Sequence, residues 1–307
     1  VSTATALAEE FETHRPRMFG LAYRILGSAQ EAEDAVQDAY LRWNAARRED
    51  IALPSAWLAK TVTNLCLTRL TSARARREQY VGTWLPEPVI TSGGTLGPLE
   101  SAEQRDAVSM ALLVLLERLT PKERAVYVLR EAFAYSHRDI AGVLGTTEAN
   151  CRQLNRRAAR AVTEARPRFE PGHELRRRFV ESFIAAAREG DVARLERILA
   201  TDVTWWGDGG GKAAATRTPI LGRENVLRFL LGVMGKVKAA SDISYAEVNG
   251  APALVLRAAG RITAIAAFEG GDGRVTGVRS VVNPDKLVFV ERQLARADGA
   301  PHGEGAL

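Results

Sequence analysis

Cysteine and histidine are scarce in this chain of 307 residues: Cys66 and Cys151 are the only thiols, and His14, His137, His173 and His302 the only imidazoles. Two thiols make no disulfide framework, and neither has a second Cys or a His at metal-ligand spacing. A reducing cytoplasm fits, no metal site or cofactor is expected, and Cys151 reads as a small core residue. Long apolar runs are also missing. The most apolar stretch, Val108 to Leu116, ends in Glu117-Arg118 and is far shorter than the ~20 residues a membrane helix needs. Glu9, Glu10 and Glu12 stand where a secretory leader would be basic and then apolar. The expectation is a soluble, cytoplasmic protein with no membrane partner. What is present suffices for two or three modest domains, with 46% hydrophobic and 26% charged residues. The net charge of +5 is mild; its distribution says more, because arginines gather between Arg69 and Arg77 and between Arg152 and Arg168.

The first block, residues 1–78, has helical periodicity. Phe11, Met18, Leu21, Ala22, Ile25 and Leu26 recur at spacings of three, four or seven. Gly27-Ser28 breaks that helix. A second runs from about Ala29 to Ala46 with Ala32, Ala35, Val36, Ala39 and Trp43 on one side. Pro54-Ser55 opens a third, burying Leu58, Val62, Leu65 and Cys66. Residues 79–103 form a linker rich in Gly and Pro. Helices return over 104–170, interrupted at Thr120-Pro121 and near Gly145. After His173 two helices precede strand-like runs at Val203–Trp206, Ile243–Val248, Ala253–Ala258, Arg261–Phe268 and Val275–Val281. Asn249-Gly250 and Gly270-Gly271-Asp272-Gly273 are hairpin-type punctuation. That order argues for an α+β domain with an antiparallel sheet over 173–291, followed by a flexible tail at 292–307.

Tyr135 to Val162 holds the densest signal. Ser136 can cap a short helix carrying Ile140, Ala141, Val143 and Leu144, and Gly145 ends it where a left-handed residue is needed. Thr146 or Thr147 then caps a second helix from Glu148. Two short helices joined by a glycine turn make a helix-turn-helix, whose second helix enters the DNA major groove. With Cys151, Leu154 and Ala158 inward, Asn150, Arg152, Gln153 and Arg156 point outward where base edges are read. Arg157 and Arg160 follow and suit phosphates. The same pattern also describes a helical hairpin with a solvated basic face.

Two stripes are less specific by themselves. Glu31, Asp34, Gln37, Asp38 and Arg42 lie opposite the apolar face of the second helix, and charged stripes are commonly just solvated. Lys60, Asn64, Thr68 and Thr71 line the third, which ends in Arg74, Arg76 and Arg77. A polar stripe beside arginines can hold a nucleic-acid strand.

Taken together these segments resemble a known family. Ala32-Glu33-Asp34-Ala35-Val36-Gln37-Asp38-Ala39-Tyr40-Leu41-Arg42, and Ala56-Trp57-Leu58 with Asn64-Leu65, are similar to conserved region 2 of extracytoplasmic-function RNA polymerase sigma factors. Leu119-Thr120-Pro121-Lys122-Glu123-Arg124, followed by the helix-turn-helix, resembles region 4 of that family. The resemblance covers about Leu7 to Arg166. It implies that Asp34, Gln37 and Asp38 dock on the β′ clamp helices of core RNA polymerase. Lys60, Asn64, Arg74, Arg76 and Arg77 would engage the −10 element, where a base is extruded and read. Region 4 would sit at the β flap and read the −35 element through Asn150, Arg152, Gln153, Arg156, Arg157 and Arg160. The family often has an aspartate where this chain has Thr68, which touches −10 selectivity.

The C-terminal extension resembles the SnoaL-like domain, a cone-shaped α+β barrel. The implied architecture is multidomain: two all-α domains, then that barrel. Three motifs resemble a subgroup of the family bearing this fusion. They are Trp84-Leu85-Pro86-Glu87-Pro88, Asp208-Gly209-Gly210-Gly211-Lys212 and Asn283-Pro284-Asp285-Lys286-Leu287. In that subgroup the fused domain is thought to regulate activity in cis, replacing a separate anti-sigma partner. Trp84 and Leu85 among prolines form a stiff apolar hook, which either packs on a helical block or docks on the C-terminal domain. The glycines after Asp208 allow a tight loop that could bind an anion, but P-loop spacing is lacking, so nucleotide hydrolysis is rejected. None of the four histidines falls on an expected strand and no carboxylate pair stands out, so no catalytic residue is assigned. A small ligand in the barrel is left open. The rival reading is a helix-turn-helix regulator with a ligand-binding C-terminal domain, which would have no use for a polymerase-docking stripe.

Overall fold

The computed structural model describes residues 3–47, 49, 51–92, 95–96, 107–165, 173–189, 192–238, 242–271 and 273–299. The chain divides into two compact units. One comprises residues 1–80 and 91–168; the other comprises residues 81–90 and 169–307. The linker motif therefore belongs to the same unit as the C-terminal domain.

In the first unit, α1 (Thr3–Leu26), α2 (Ala29–Ala45) and α3 (Pro54–Glu78) pack on one another. The expected apolar faces are the buried ones: Phe11, Met18, Val36, Trp43, Leu58 and Val62 are at most 1% exposed. Gly27 takes φ +68, and Ser28 caps α2 by accepting from the Glu31 amide at 3.1 Å. Pro54 opens α3, where its missing N–H costs nothing. Next come α4 (Met110–Leu116), α5 (Pro121–Tyr127) with a π turn at Val128–Ala132, α6 (His137–Leu144) and α7 (Glu148–Ala165). Thr120 and Ser136 each form a capping box, with Glu123 and Asp139. Gly145 adopts φ +61, ψ +42, closing α6 in the left-handed region. Both α5 and α6 pack against α3.

In the second unit, α8 (His173–Glu189) and α9 (Val192–Ile198) precede β1 (Leu199–Asp208) and β2 (Ile220–Leu221). Then come α10 (Arg223–Lys238), β3 (Asp242–Val248), β4 (Ala251–Ala258), β5 (Arg261–Gly271), β6 (Arg274–Val281) and α11 (Pro284–Gly299). Among the described residues the strands form one six-stranded sheet ordered β2-β1-β6-β5-β4-β3. Asn249 (φ +54) and Gly250 (φ +72) make the tight β3–β4 turn. Helices α8 and α10 lie on the sheet, over a core that includes Phe183, Leu199, Val226, Leu254 and Phe268.

Three expectations need correction. The sheet is mixed, because β1 runs parallel to β6 with Trp205 opposite Val278; the connection from β1 to β6 passes through the whole domain, and such a pairing leaves no local turn signal. Helix α10 has no counterpart among the expected elements. Its Val226, Leu230 and Val233 do keep helical spacing, but Gly232 and Gly235 interrupt it. The tail expected from 292 is helical to Gly299, since α11 continues beyond Leu287 and Val290, which are buried.

Candidate nucleic-acid interface and linker clamp

On α2 the alanine face is buried, so Asp34, Gln37 and Asp38 emerge on the outer side. Gln37 is exposed. Both aspartates lie beside Arg69 of α3, which donates to Asp38 at 2.6 Å and approaches Asp34 at 3.8 Å. Arg69 belongs to a basic run in the sequence, and α3 folds it back onto the acidic stripe.

Along α3, Lys60, Asn64 and Thr68 are exposed one turn apart. Thr68 and Thr71 hydroxyls donate back to the Asn64 and Leu67 carbonyls, at 3.1 and 3.4 Å. The side chains of Arg74 and Arg76 lie outside the described residues. Arg77 does not stand free for DNA as expected. It pairs with Glu117, its guanidinium also donates to the Leu26 carbonyl at 2.5 Å, and its side chain is only 16% exposed. Glu117 is shared with Arg124, a fully enclosed guanidinium that also donates to the Arg24 carbonyl at 3.4 Å. Arg24 is buried as well, bonding the Gly20 carbonyl and lying 5.2 Å from the Phe133 ring centre. Burial lowers Arg124 to about 9 and Arg24 to about 10. Both remain charged at neutral pH, and Glu117 supplies the carboxylate that Arg124 shares with Arg77. Burial also pushes the Cys66 thiol far up, so this sulfur is an inert core group.

Helix α7 presents the expected outer face. Thr147 caps it by accepting from the Asn150 amide at 3.2 Å. Arg152, Gln153, Arg156, Arg157 and Arg160 are exposed over buried Cys151, Leu154 and Ala158. Arg152 and Arg160 pair with Glu148 and Glu164 one turn away, and Arg157 reaches Glu123 at 3.1 Å. Asn150 is half-buried and spends its amide on the Thr146 hydroxyl at 2.9 Å, so it shapes the turn more than it offers itself to a base. Thr68 and Thr71 of α3 and Pro121, Lys122, Leu154 and Arg157 of the second helical block line one open cleft of about 1000 Å³.

The linker motif is held inside the second unit. Leu85 has no exposed surface, and its amide donates to the Asp208 carboxylate at 2.7 Å. The Lys286 ammonium donates to the Leu85 carbonyl at 2.5 Å and to Asp208 at 2.7 Å, and lies 4.3 Å from the Trp84 ring centre. Asp208 is fully buried and Lys286 nearly so. A buried charge pair is tolerable only when its remaining bonding capacity is met; the Leu85 backbone contributes one bond to each ion, its N–H to Asp208 and its carbonyl to Lys286. The three sequence motifs therefore meet at one point. Asn283 N–H and Val282 N–H bond the Asp208 carbonyl at 2.9 and 2.8 Å, Asn283 accepts from the Asp285 amide at 3.1 Å, and Leu287 is buried. Lys212 pairs with Asp285 at the surface. Pro86 and Pro88 are buried and Glu87 half-buried.

Two further clasps involve residues outside the three motifs. Asn249 accepts from the Val89 amide at 3.1 Å and returns its own N–H to the Val89 carbonyl at 2.9 Å. Gln293 bonds both the N–H and the carbonyl of Ile90, at 2.9 and 3.2 Å. In the sequence Asn249 signals only a turn and Gln293 only a tail. The glycine loop is no anion cradle: Lys212 and Ala213 direct their N–H groups at the Gly209 carbonyl, at 2.9 and 3.1 Å. A side chain at Gly209 would meet the Ala213 carbonyl at 2.4 Å, so glycine here serves close approach. Among the described residues, no group of three or more His, Cys, Asp or Glu side chains is placed to hold a metal ion, and no helix is long and apolar enough to cross a membrane.

Comparison with known proteins finds the Sigma-70 region 2 family over residues 11–76 and the Sigma-70, region 4 family over residues 109–162. An extracytoplasmic-function RNA polymerase sigma factor of Mycobacterium tuberculosis, SigJ, is 37% identical over 96% of this chain and 97% of its own length. The probable sigma factor SigI of the same organism is 30% identical, over 90% and 93%. The crystal structure of SigJ superposes with a TM-score of 0.73 at 36% identity, covering 92% of this chain and 98% of that one.

Proposed function

This chain belongs to the extracytoplasmic-function RNA polymerase sigma factors, with a SnoaL-like α+β domain after regions 2 and 4, and from that premise we propose that the fused domain restrains it in cis by gripping the linker. A sigma factor binds core polymerase and directs it to promoters. The division of labour proposed here puts Asp34, Gln37 and Asp38 on the β′ clamp helices. Lys60 and Asn64 take the −10 strand, region 4 sits at the β flap, and Arg152, Gln153 and Arg156 read the −35 duplex. The protein acts in the cytoplasm, catalyses no reaction of its own and needs no separate anti-sigma partner.

The observation carrying the restraint is the burial of the Leu85 peptide between Asp208 and Lys286. The −10 and −35 elements are separated by roughly 25 steps of 3.4 Å, about 85 Å along the duplex. Regions 2 and 4 share Glu117 and a common cleft in the first unit, an arrangement that must open to span such a distance. Opening draws on the linker, and holding ten of its residues removes about 35 Å of extendable chain. A tethered domain sees its target at about millimolar effective concentration, so the grip needs little intrinsic affinity.

Run-off transcription with core polymerase tests this. Lys286→Met should raise initiation several-fold over the full chain, because Asp208 is left buried without its cation and the linker is released. Initiation that stays at the parent level, with the linker shown to be free by faster proteolysis within residues 81–90, would reject the restraint.

A further inference from the structure

The second unit contains a cavity of about 460 Å³ that the linker clamp does not use, within the range of small-molecule sites. Its floor follows from pairing and residue size. Gly207 of β1 lies opposite Ser280 of β6, Ser280 opposite Ala266 of β5, and Ala266 opposite Leu254 of β4. Three small residues side by side leave space above the sheet that Leu or Phe would fill. Ala264, two residues along β5 on the same face, extends the gap. Aromatic side chains wall it: Phe183 from α8, Phe229 from α10 and Trp205 from β1. Trp205 and Phe229 meet at 5.3 Å between ring centres.

The polar content is small and one-sided. No charged side chain is among the described lining residues; the wall's hydroxyls are Thr216, Thr263 and Ser280. Thr263 is already spent on the Leu256 carbonyl at 3.3 Å. The Thr216 hydroxyl is buried with no hydrogen-bond partner, packed against Gly207, where an added Cβ would meet it at 2.9 Å. Buried hydroxyls without a partner are uncommon. With Ser280 opposite Gly207, this places the cavity's available hydrogen-bonding capacity at one end and hydrocarbon elsewhere.

We propose that this cavity binds a neutral, largely apolar small molecule carrying one hydroxyl or carbonyl group, held by the Thr216–Ser280 end. Among the described residues the wall has no acid, base or cation, so the site selects against ions and does no acid–base chemistry on its occupant. Both polar wall segments run directly into the clamp. Gly207 precedes Asp208, the strand carrying Ser280 leads through Val282 to Asn283, and Thr216 follows the Asp208–Lys212 loop. An occupant that shifts Thr216 or Ser280 therefore changes how Asp208 meets Leu85. This coupling rests on the restraint proposed above; binding itself does not.

Titrating the full chain with Nile red, a neutral solvent-sensitive dye, tests the site. Saturable binding of one dye per chain with a blue-shifted emission is expected. Ala266→Leu fills the floor and should weaken binding at least tenfold; Ala264→Leu does the same from the neighbouring position and serves if the first variant fails to fold. Leu53→Ser, at an exposed apolar position in the first unit, should leave affinity unchanged. Absence of saturable binding, or equal affinity in a folded Ala266→Leu or Ala264→Leu chain, would overturn the proposal. Run-off transcription with saturating dye then separates the two ideas. Changed initiation supports the coupling, whereas unchanged initiation with saturable, cavity-dependent binding rejects the coupling alone.

Discussion

Arg69 occupies an unusual position among the charged residues, because the two carboxylates assigned to polymerase docking are the ones it holds. Its side chain is 28% exposed and those of Asp34 and Asp38 nearly half exposed, 46% and 45%. Pairs this wet contribute roughly 0.2–1 kcal/mol each. A cationic or amide-rich docking surface can therefore displace Arg69 at little cost, and the stripe remains usable. Replacing Asp34 and Asp38 together by Ala should lower affinity for core polymerase tenfold or more, measured by fluorescence anisotropy, while thermal unfolding stays within a few degrees of the parent. Arg69→Ala should leave docking intact or tighten it, since the carboxylates lose a competitor. Loss of docking in that variant would point to Arg69 as a contact in its own right. This pairing was invisible in the sequence, where Asp34 and Arg69 are 35 positions apart and only the packing of α2 on α3 joins them. The same limit explains Arg77: a terminal arginine in a basic run reads as a phosphate contact until Glu117, 40 residues on, is found against it.

At the level of elements, local rules were followed where local physics decides. Ser28, Thr120 and Ser136 cap helices, Gly145 turns left-handed, and the buried faces of α1, α2, α3 and α7 are the ones their periodicity marked. Elements whose signal is interrupted or whose partner is distant were less legible: α10, the two-residue β2, the parallel β1–β6 pairing and the far half of α11. For α7 the proposed roles divide between base reading and phosphate contact. Arg152 and Arg156 project from its N-terminal half, and their partner or surroundings are exposed enough to exchange for DNA. Each to Ala should cost about 1–3 kcal/mol on the preferred −35 duplex and relax selectivity at one base position. Arg160→Ala should weaken all sequences alike and lower the salt dependence by about one ion. Binding titrations across single-base variants of the duplex distinguish the two patterns; uniform loss for Arg152→Ala would remove it from base readout.

For the molecule as a whole, the restraint proposed above makes the controlling quantity the free energy that keeps regions 2 and 4 together against the gain from reaching two promoter elements. Within the first unit Glu117 neutralises Arg77 and the enclosed Arg124 at once. Removing one partner of a buried ionic group costs about 3–5 kcal/mol, because the remaining charge stays desolvated. Arg124 can regain water only if the surfaces around it part. Glu117→Gln keeps the side chain's size and one acceptor while deleting the charge, so it should favour the opened form without emptying the core. The expected signature is a longer mean distance between dyes placed on α2 and α7, read by energy transfer, together with initiation raised beyond that of the parent. Combining it with Lys286→Met should add little if linker release and the opening of Glu117 are steps of one transition, and should multiply the two effects if they are separate barriers. A Glu117→Gln chain that keeps the short distance and the parent's initiation would show that the shared carboxylate is not what holds the two regions closed.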